Sequence, residues 1–160
     1  MSGTNGPVRV GVVIGSPSDR PLADKIVEAL TGLGIGCEVK VLSAHRTPDR
    51  VVTYVTAAEG RGIRVLIACA GLAAHLAGVV AAHTLLPVIG VPVAGGTLGG
   101  LDALLATVQM PPGIPVATVA IDGGRNAAIL AARILALQDA TVRAALEAAL
   151  LADRARYDQP

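Results

Sequence analysis

The chain has 160 residues, of which 52% are apolar and only 16% charged. This length suits one domain with a full hydrophobic core, and the composition excludes a disordered chain. The net charge is +1 and aromatic residues are nearly absent, so neither a basic surface nor a stacking platform for nucleic acid is indicated. A mean hydropathy of +0.62 favours burial of surface against further copies of the chain, so we expect a homo-oligomer.

Cysteine usage and hydropathy indicate the compartment. Cys37 and Cys69 lie in apolar runs, which favours two buried free thiols in a reducing cytosol over one disulfide. The most hydrophobic stretch, residues 65–93, is interrupted by histidines, a proline and glycines before it reaches the ~20 residues of a membrane span. Residues 1–7 lack the basic and then apolar pattern of a signal peptide. We therefore expect a cytoplasmic protein with no membrane segment.

Short valine-rich runs alternate along the chain with segments whose apolar residues recur at helical spacing. The predicted strands cover residues 8–14, 37–42, 64–70, 87–93 and 116–121. The predicted helices cover residues 21–33, 47 to about 60, 73–83, 101–109, 126–137 and 140–156. This alternation predicts an α/β three-layer sandwich around a five-stranded parallel sheet, with the flavodoxin-like strand order 2-1-3-4-5. We expect a single domain over residues 8–152, a flexible start at 1–7 and a polar end at 153–160.

Ligands of open parallel sheets bind at the carboxyl ends of the strands, so the loops there are the places for chemistry. The loop after the first strand, Gly15-Ser16-Pro17-Ser18-Asp19, offers two hydroxyls and free backbone N–H groups at a helix start. Such a loop suits an anion, although Ser18 or Asp19 would equally serve as a simple helix cap. Neither a Walker loop nor a GxGxxG pattern is present.

The loop after the second strand, Ser43-Ala44-His45-Arg46-Thr47-Pro48, strengthens the case for a phosphate. A guanidinium such as that of Arg46 binds two phosphate oxygens at once, and an imidazole such as that of His45 can move a proton. Because the second strand neighbours the first, we expect Arg46 and the hydroxyls of Ser16 and Ser18 to hold one phosphate together. The alternative is a solvated histidine beside a surface arginine.

The third loop, Gly71-Leu72-Ala73-Ala74-His75, opens a helix of small residues that allow a ligand to approach the backbone closely. His75 either lines the pocket or caps the helix, and His83 is interpreted as structural because it lies near the helix end. The histidines lack metal-ligand spacing, and no Gly-x-Ser-x-Gly elbow or strand-end cysteine is present. The residues thus predict a phosphorylated small molecule and one histidine that shuttles a proton.

Six motifs in this order resemble those of the bacterial N5-carboxyaminoimidazole ribonucleotide mutases, the AIR carboxylase catalytic subunit family of purine biosynthesis. The similarity runs from about residue 8 to residue 137. The motifs are Gly15-Ser16-Pro17-Ser18-Asp19, Ser43-Ala44-His45-Arg46-Thr47-Pro48, Ala73-Ala74-His75-Leu76, Pro87-Val88-Ile89-Gly90-Val91-Pro92-Val93, Gly100-Leu101-Asp102-Ala103-Leu104 and Val108-Gln109-Met110-Pro111.

The resemblance implies an isomerase that moves a carboxylate from the exocyclic amine of an aminoimidazole ribonucleotide to a ring carbon. It implies no metal, ATP or organic cofactor, and an octamer of identical chains. It also implies that His45 handles the ring proton. The implied substrate-binding residues are Ser16, Ser18, Asp19, Ser43, Arg46, Gly71, Leu72, Ala73, His75 and Leu76.

Three positions depart from the family pattern, which usually has Trp, Gly and Pro where this chain has Arg20, Leu72 and Ala77. They lie in or beside the expected pocket, so an alternative is a divergent paralogue that carboxylates or decarboxylates another azole nucleotide in a secondary pathway. A related animal-type enzyme carboxylates the imidazole directly, but Arg46 and His75 favour the mutase. A nucleotide-binding module without catalysis is a third hypothesis, which the presence of His45 disfavours.

Overall fold

The structure, a computed structural model, describes residues 6–157. Its five strands are β1 (Val8–Ile14), β2 (Gly36–Val41), β3 (Val65–Gly71), β4 (Val88–Val93) and β5 (Ala117–Thr118). Its α-helices are α1 (Arg20–Gly32), α2 (Pro48–Ala58), α3 (Leu76–Ala82), α4 (Leu101–Val108), α5 (Gly124–Leu135) and α6 (Ala140–Ala155). Short 3₁₀ turns at Pro17–Asp19 and Glu59–Arg61 join some of these elements.

The strands form one parallel sheet in the order β2-β1-β3-β4-β5, which confirms the predicted flavodoxin-like topology. The side chains of β1 and β3 are buried on both faces of the sheet, which is why these strands read as continuous apolar runs. Helices α1, α5 and α6 pack on one face, and α2, α3 and α4 pack on the other. The predicted three-layer arrangement is therefore confirmed.

Two predicted boundaries, the end of the fifth strand and the start of the third helix, differ from the structure by three residues. The predicted fifth strand, residues 116–121, is reduced to β5, which pairs with β4 only at Ile89 and Gly90. In the described part of the chain, β5 is an edge strand with β4 as its one neighbour. Just beyond β5, the N–H of Val119 still donates to the carbonyl of Gly90 at 3.1 Å. The third helix begins at Leu76 instead of residue 73, because the N–H of His75 donates to the carbonyl of Ala73 at 2.8 Å in a tight turn, and the first helical bond runs from the N–H of Val79 to His75.

Both cysteines are buried free thiols, as predicted. Burial and the nearby charge of Asp19 raise the pKa of Cys69 to about 12, and burial also raises the pKa of Cys37. Among residues 6–157, no helix combines the length and the apolar character that crossing a membrane requires. Most of the predicted flexible start and the last three residues of the predicted polar end lie outside the described residues.

Candidate active site

A cavity of about 430 Å³ lies at the carboxyl edge of the sheet, between the loops that follow β1, β2, β3 and β4. All of the residues that the sequence nominated line it. They are Ser16, Ser18, Asp19, Ser43, His45, Arg46, Gly71, Leu72, Ala73, His75 and Leu76. Four loops that are far apart in sequence are thus brought together by the strand order alone.

The loop after β1 is shaped by a reciprocal hydrogen-bonded cap. The N–H of Ser18 donates to the Ser16 hydroxyl at 3.3 Å, and the N–H of Ser16 donates to the Asp19 carboxylate at 3.1 Å. Ser16 is thus the side-chain cap of the 3₁₀ turn Pro17–Asp19. Asp19 occupies the N-cap position of α1, as expected, but its side chain makes no cap hydrogen bond there. The Ser16 and Ser18 hydroxyl oxygens lie 2.8 Å apart, so two adjacent polar groups line this end of the cavity.

Asp19 is largely buried beneath this loop. Burial raises the pKa of its carboxyl, and the N–H of Ser16 and the hydroxyl of Ser18 partly offset that rise. The Ser18 hydroxyl donates to Asp19 at 3.3 Å, so both carboxylate oxygens accept hydrogen bonds within the loop. Asp19 therefore fixes the conformation of the loop as well as lining the cavity.

The loop after β2 is a turn held by Ser43 and Thr47. The N–H of Ser43 donates to the Thr47 hydroxyl at 3.0 Å, and the N–H of Arg46 donates to the Ser43 hydroxyl at 3.2 Å. These bonds hold the backbone on which the exposed side chains of His45 and Arg46 stand. Because β2 is adjacent to β1, Arg46 and the two serine hydroxyls line the same cavity.

Two histidines meet across this cavity. Nε2 of His45 and Nδ1 of His75 lie 2.8 Å apart, and the rings meet edge to face with centroids 4.9 Å apart. Only one of these two nitrogens can donate, so the hydrogen bond needs a proton on one ring nitrogen and a free lone pair on the other. The side chain of His75 makes no cap bond to α3, so the pocket-lining interpretation is the one observed. His83 ends α3 with its Nδ1 2.8 Å from the carbonyl of Val79, a structural position.

The loop after β4 also lines the cavity, although the sequence nominated none of its residues, because Val93, Ala94, Gly95 and Gly96 carry no distinctive functional group. Its position at the carboxyl end of a central strand was the available indication. The loop is anchored from outside the cavity, since the N–H of Ala94 donates to the Asp122 carboxylate at 3.0 Å. Asp122 was not nominated either.

No group of three or more His, Cys, Asp or Glu side chains within residues 6–157 could hold a metal ion. The groups that the cavity does offer are two hydroxyl-bearing turns, the Asp19 carboxylate, one guanidinium, two hydrogen-bonded imidazoles and an apolar wall. Such a set suits a phosphorylated ligand whose reaction involves proton transfer.

Fold and cavity together define an α/β protein of the flavodoxin-like class, with a polar cavity at the carboxyl edge of its sheet. The chain belongs to the AIR carboxylase family, whose model matches residues 9–155. It is 55% identical to the N5-carboxyaminoimidazole ribonucleotide mutase of Pyrococcus abyssi over 133 residues, 83% of this chain and 76% of that protein.

Two further relatives show how widely the unit recurs. The chain is 54% identical to the phosphoribosylaminoimidazole carboxylase of Schizosaccharomyces pombe, covering 86% of this chain but 25% of that protein. The crystal structure of Treponema denticola PurE superposes with a TM-score of 0.86 at 30% identity, covering 92% of both chains. The fold and the family are thus supported by sequence and by structure.

Proposed function

We propose that this chain is an N5-carboxyaminoimidazole ribonucleotide mutase of purine biosynthesis. The observation that carries the proposal is the hydrogen-bonded pair of His45 and His75. The same cavity holds the guanidinium of Arg46 and the hydroxyls of Ser16 and Ser18. The identities of 55% and 57% to the N5-carboxyaminoimidazole ribonucleotide mutases of Pyrococcus abyssi and Thermotoga maritima support the same proposal.

The order of the strands gives the cavity two ends. The loops after β2 and β1 contribute Arg46 and the serine hydroxyls, while the loops after β3 and β4 contribute mainly small and apolar side chains. We infer that the ribose phosphate binds at the polar end and the imidazole base at the apolar end. His45 then stands between them, within reach of the ring.

His45 would act as both acid and base. The bond between the carboxylate carbon and the exocyclic nitrogen breaks, CO₂ is released inside the cavity, and the nitrogen takes a proton from the His45 imidazolium. The ring carbon then forms a bond to CO₂, and the proton that it loses returns to His45. Atoms and charge balance, and the small apolar walls keep CO₂ near the ring while excluding water.

An assay of purified protein with N5-carboxyaminoimidazole ribonucleotide tests this function. We expect wild type to form the ring-carboxylated isomer and His45→Asn to lose about 10²–10⁴-fold in kcat while retaining ligand binding. Turnover close to wild type in His45→Asn would remove His45 from the mechanism.

The phosphate contact is tested separately with Arg46→Lys. Lysine keeps the positive charge but loses the planar fork, so affinity for the ribonucleotide should fall by about 1–3 kcal/mol. We expect this change in KM and in calorimetric Kd, with kcat affected much less. Unchanged affinity would place Arg46 outside the phosphate site.

Labelling separates the mutase from its two alternatives. In ¹³C-bicarbonate, a mutase supplied with the N-carboxylated substrate should give mostly unlabelled product, because CO₂ is recaptured before it exchanges. Labelled product formed from aminoimidazole ribonucleotide at a comparable rate would indicate a direct carboxylase. Failure of both reactions would favour the divergent paralogue that acts on another azole nucleotide.

We further propose that the enzyme is a homo-octamer and that it works in the cytoplasm. Apolar side chains at Leu98, Leu101, Leu105 and Val108 stand about half exposed along one stripe, which supports self-association. Light scattering should give a mass near eight times 16.0 kDa. A monomer at micromolar concentration would contradict the assembly.

A further inference from the structure

The hydroxyl of Thr47 is turned away from the helix that follows it. Thr47 is the N-cap residue of α2, where a threonine hydroxyl ordinarily accepts a hydrogen bond from the N–H of the second or third helical residue. Here the Thr47 side chain makes no such bond, and the N–H of Arg50, the third helical residue, donates to the Thr47 carbonyl at 3.1 Å. The helix therefore forgoes a side-chain cap that Thr47 is able to supply.

The Thr47 hydroxyl instead closes the loop after β2 on itself. It accepts from the N–H of Ser43 at 3.0 Å and donates to the carbonyl of Ser43 at 3.2 Å. The N–H of Thr47 donates to the same carbonyl at 2.9 Å. Three bonds thus join residues 43 and 47, and the N–H of Arg46 adds a bond to the Ser43 hydroxyl at 3.2 Å.

The residues that these bonds enclose are the ones that face the cavity. Residues 43–46 line it, whereas Thr47 is partly buried and lies outside the lining. The imidazole of His45 stands on a single side-chain carbon, so it moves with the backbone of the loop. Its Nε2 lies 2.8 Å from Nδ1 of His75, and a shift of the backbone by about 1 Å would break that hydrogen bond.

We propose that Thr47 is a positioning residue whose hydroxyl fixes the His45 imidazole in the cavity. The inference rests on the proposed function, in which His45 moves the ring proton. Thr47 acts through His45, by closing the turn on which the imidazole stands. The guanidinium of Arg46 has a longer and more flexible side chain that compensates for a displaced backbone. Loss of the Thr47 hydroxyl should therefore impair catalysis more than ribonucleotide binding.

Two substitutions separate the hydroxyl of Thr47 from its shape. Thr47→Val keeps the branched side chain without the hydroxyl, whereas Thr47→Ser keeps the hydroxyl. We expect Thr47→Val to lower kcat by about 10–100-fold with a much smaller change in Kd, because a misplacement of about 1 Å can cost about 10²-fold in rate. Thr47→Ser should retain most of kcat.

Thr53→Val is the matched control for these kinetics. Thr53 is exposed on the same helix, and its hydroxyl donates to the carbonyl of Asp49 at 2.8 Å, so its substitution also removes a bond to the backbone. All variants are compared where circular dichroism shows them folded. A kcat for Thr47→Val equal to that of Thr53→Val overturns the proposal. A loss in Thr47→Ser as large as in Thr47→Val also overturns it.

Chemical modification of the histidines tests the geometry without turnover. Diethyl pyrocarbonate acylates a ring nitrogen with a free lone pair, and in the neutral pair of His45 and His75 the accepting ring has its one lone pair occupied. We expect Thr47→Val to speed modification of that protected ring, measured by peptide mass spectrometry, while Thr47→Ser leaves it slow. His83 is the internal reference, since it ends α3 against the carbonyl of Val79.

The two measurements keep this proposal apart from the proposed function. Unchanged modification of both cavity histidines in Thr47→Val overturns the positioning role and leaves the mutase assignment standing. Absence of mutase turnover in wild type overturns the assignment, whereas faster modification in Thr47→Val still supports the positioning role.

Discussion

Asp122 combines a left-handed backbone with a hydrogen bond that starts the loop after β4. Its carboxylate accepts from the N–H of Ala94 at 3.0 Å, and its own N–H donates to Pro92 at 2.9 Å. Aspartate and asparagine tolerate the left-handed region better than other residues with a Cβ. The side chain thus both permits the turn and fixes the first residue of a loop that lines the cavity.

We predict that Asp122→Ala lowers the free energy of unfolding by about 1–3 kcal/mol, because alanine removes the acceptor and bears the left-handed strain. Asp122→Asn should cost much less, since its amide oxygen can still accept from Ala94. Urea unfolding of the two variants measures the difference, and KM should rise in Asp122→Ala as the loop loosens. Equal destabilisation by both substitutions would show that the hydrogen bond contributes nothing.

Residues with distinctive chemistry were predictable here, and residues that act by shape were not. His45, Arg46 and the serines of the first loop could be nominated because their side chains suit phosphate and proton transfer at the expected edge of the sheet. Nothing local in the sequence indicates that Leu72 takes a positive φ. The φ of 63° that favours glycine at position 96 is likewise visible only in the fold.

Elements are locked together by a polar cluster on the sheet face that α2 covers. Glu38 on β2 accepts from the Tyr54 hydroxyl of α2 at 2.9 Å and forms an ion pair with Arg61, whose guanidinium lies 5.3 Å from the Tyr54 ring centroid. Burial would raise the pKa of Glu38, but the bonds from Arg61 and Tyr54 outweigh it and lower that pKa. Gly11 on β1 makes room, since a Cβ there would lie 2.5 Å from the Tyr54 hydroxyl.

This cluster predicts acid sensitivity. Because the pKa of Glu38 is lower in the folded protein than its ordinary 4.5, its ionised form stabilises the fold above that pH, and the contribution is lost as pH falls through the folded-state pKa. Glu38→Gln should cost about 1–2 kcal/mol at pH 7, since Arg61 is partly screened by solvent.

Urea unfolding of wild type and Glu38→Gln from pH 7 to pH 3 tests the sign. The difference between the two proteins should shrink below about pH 4.5, the ordinary pKa of a glutamate. A difference that stays constant over this range would show that the charge of Glu38 does not stabilise the fold.

Elements with strong apolar patterns were predicted within a few residues, because burial on both faces or on one stripe leaves a clear period. The two exceptions are β5 and the start of α3. β5 lies at the edge of the sheet formed by residues 6–157, and within the predicted apolar run only Ala117 and Thr118 pair with β4. The start of α3 is displaced by the tight turn between Ala73 and His75, which periodicity does not report.

At the scale of the whole molecule, the apolar stripe on α4 is the surface that we expect between copies. Leu101, Leu105 and Val108 recur at intervals of four and three residues, so they share one face of the helix. Leu98 extends the stripe into the loop that lines the cavity. Assembly through this face would therefore hold that loop from outside.

We predict that Leu105→Glu shifts the protein to a smaller assembly, because a charge desolvated between copies is costly. Leu137→Glu is the matched control, since Leu137 is 81% exposed away from the stripe. Light scattering should show a lower mass for Leu105→Glu and an unchanged mass for Leu137→Glu, with both proteins folded by circular dichroism. An unchanged mass in Leu105→Glu would place the interface elsewhere.

Cys69 lies directly below the first loop of the site, where its carbonyl accepts the N–H of Gly15 at 3.0 Å. Oxidants and alkylating reagents attack the thiolate, and a buried thiol whose pKa is raised to about 12 is almost entirely protonated at neutral pH. Cys37 is equally inaccessible. The enzyme should therefore withstand peroxide and iodoacetamide while folded, and purification should need no reducing agent to preserve its activity.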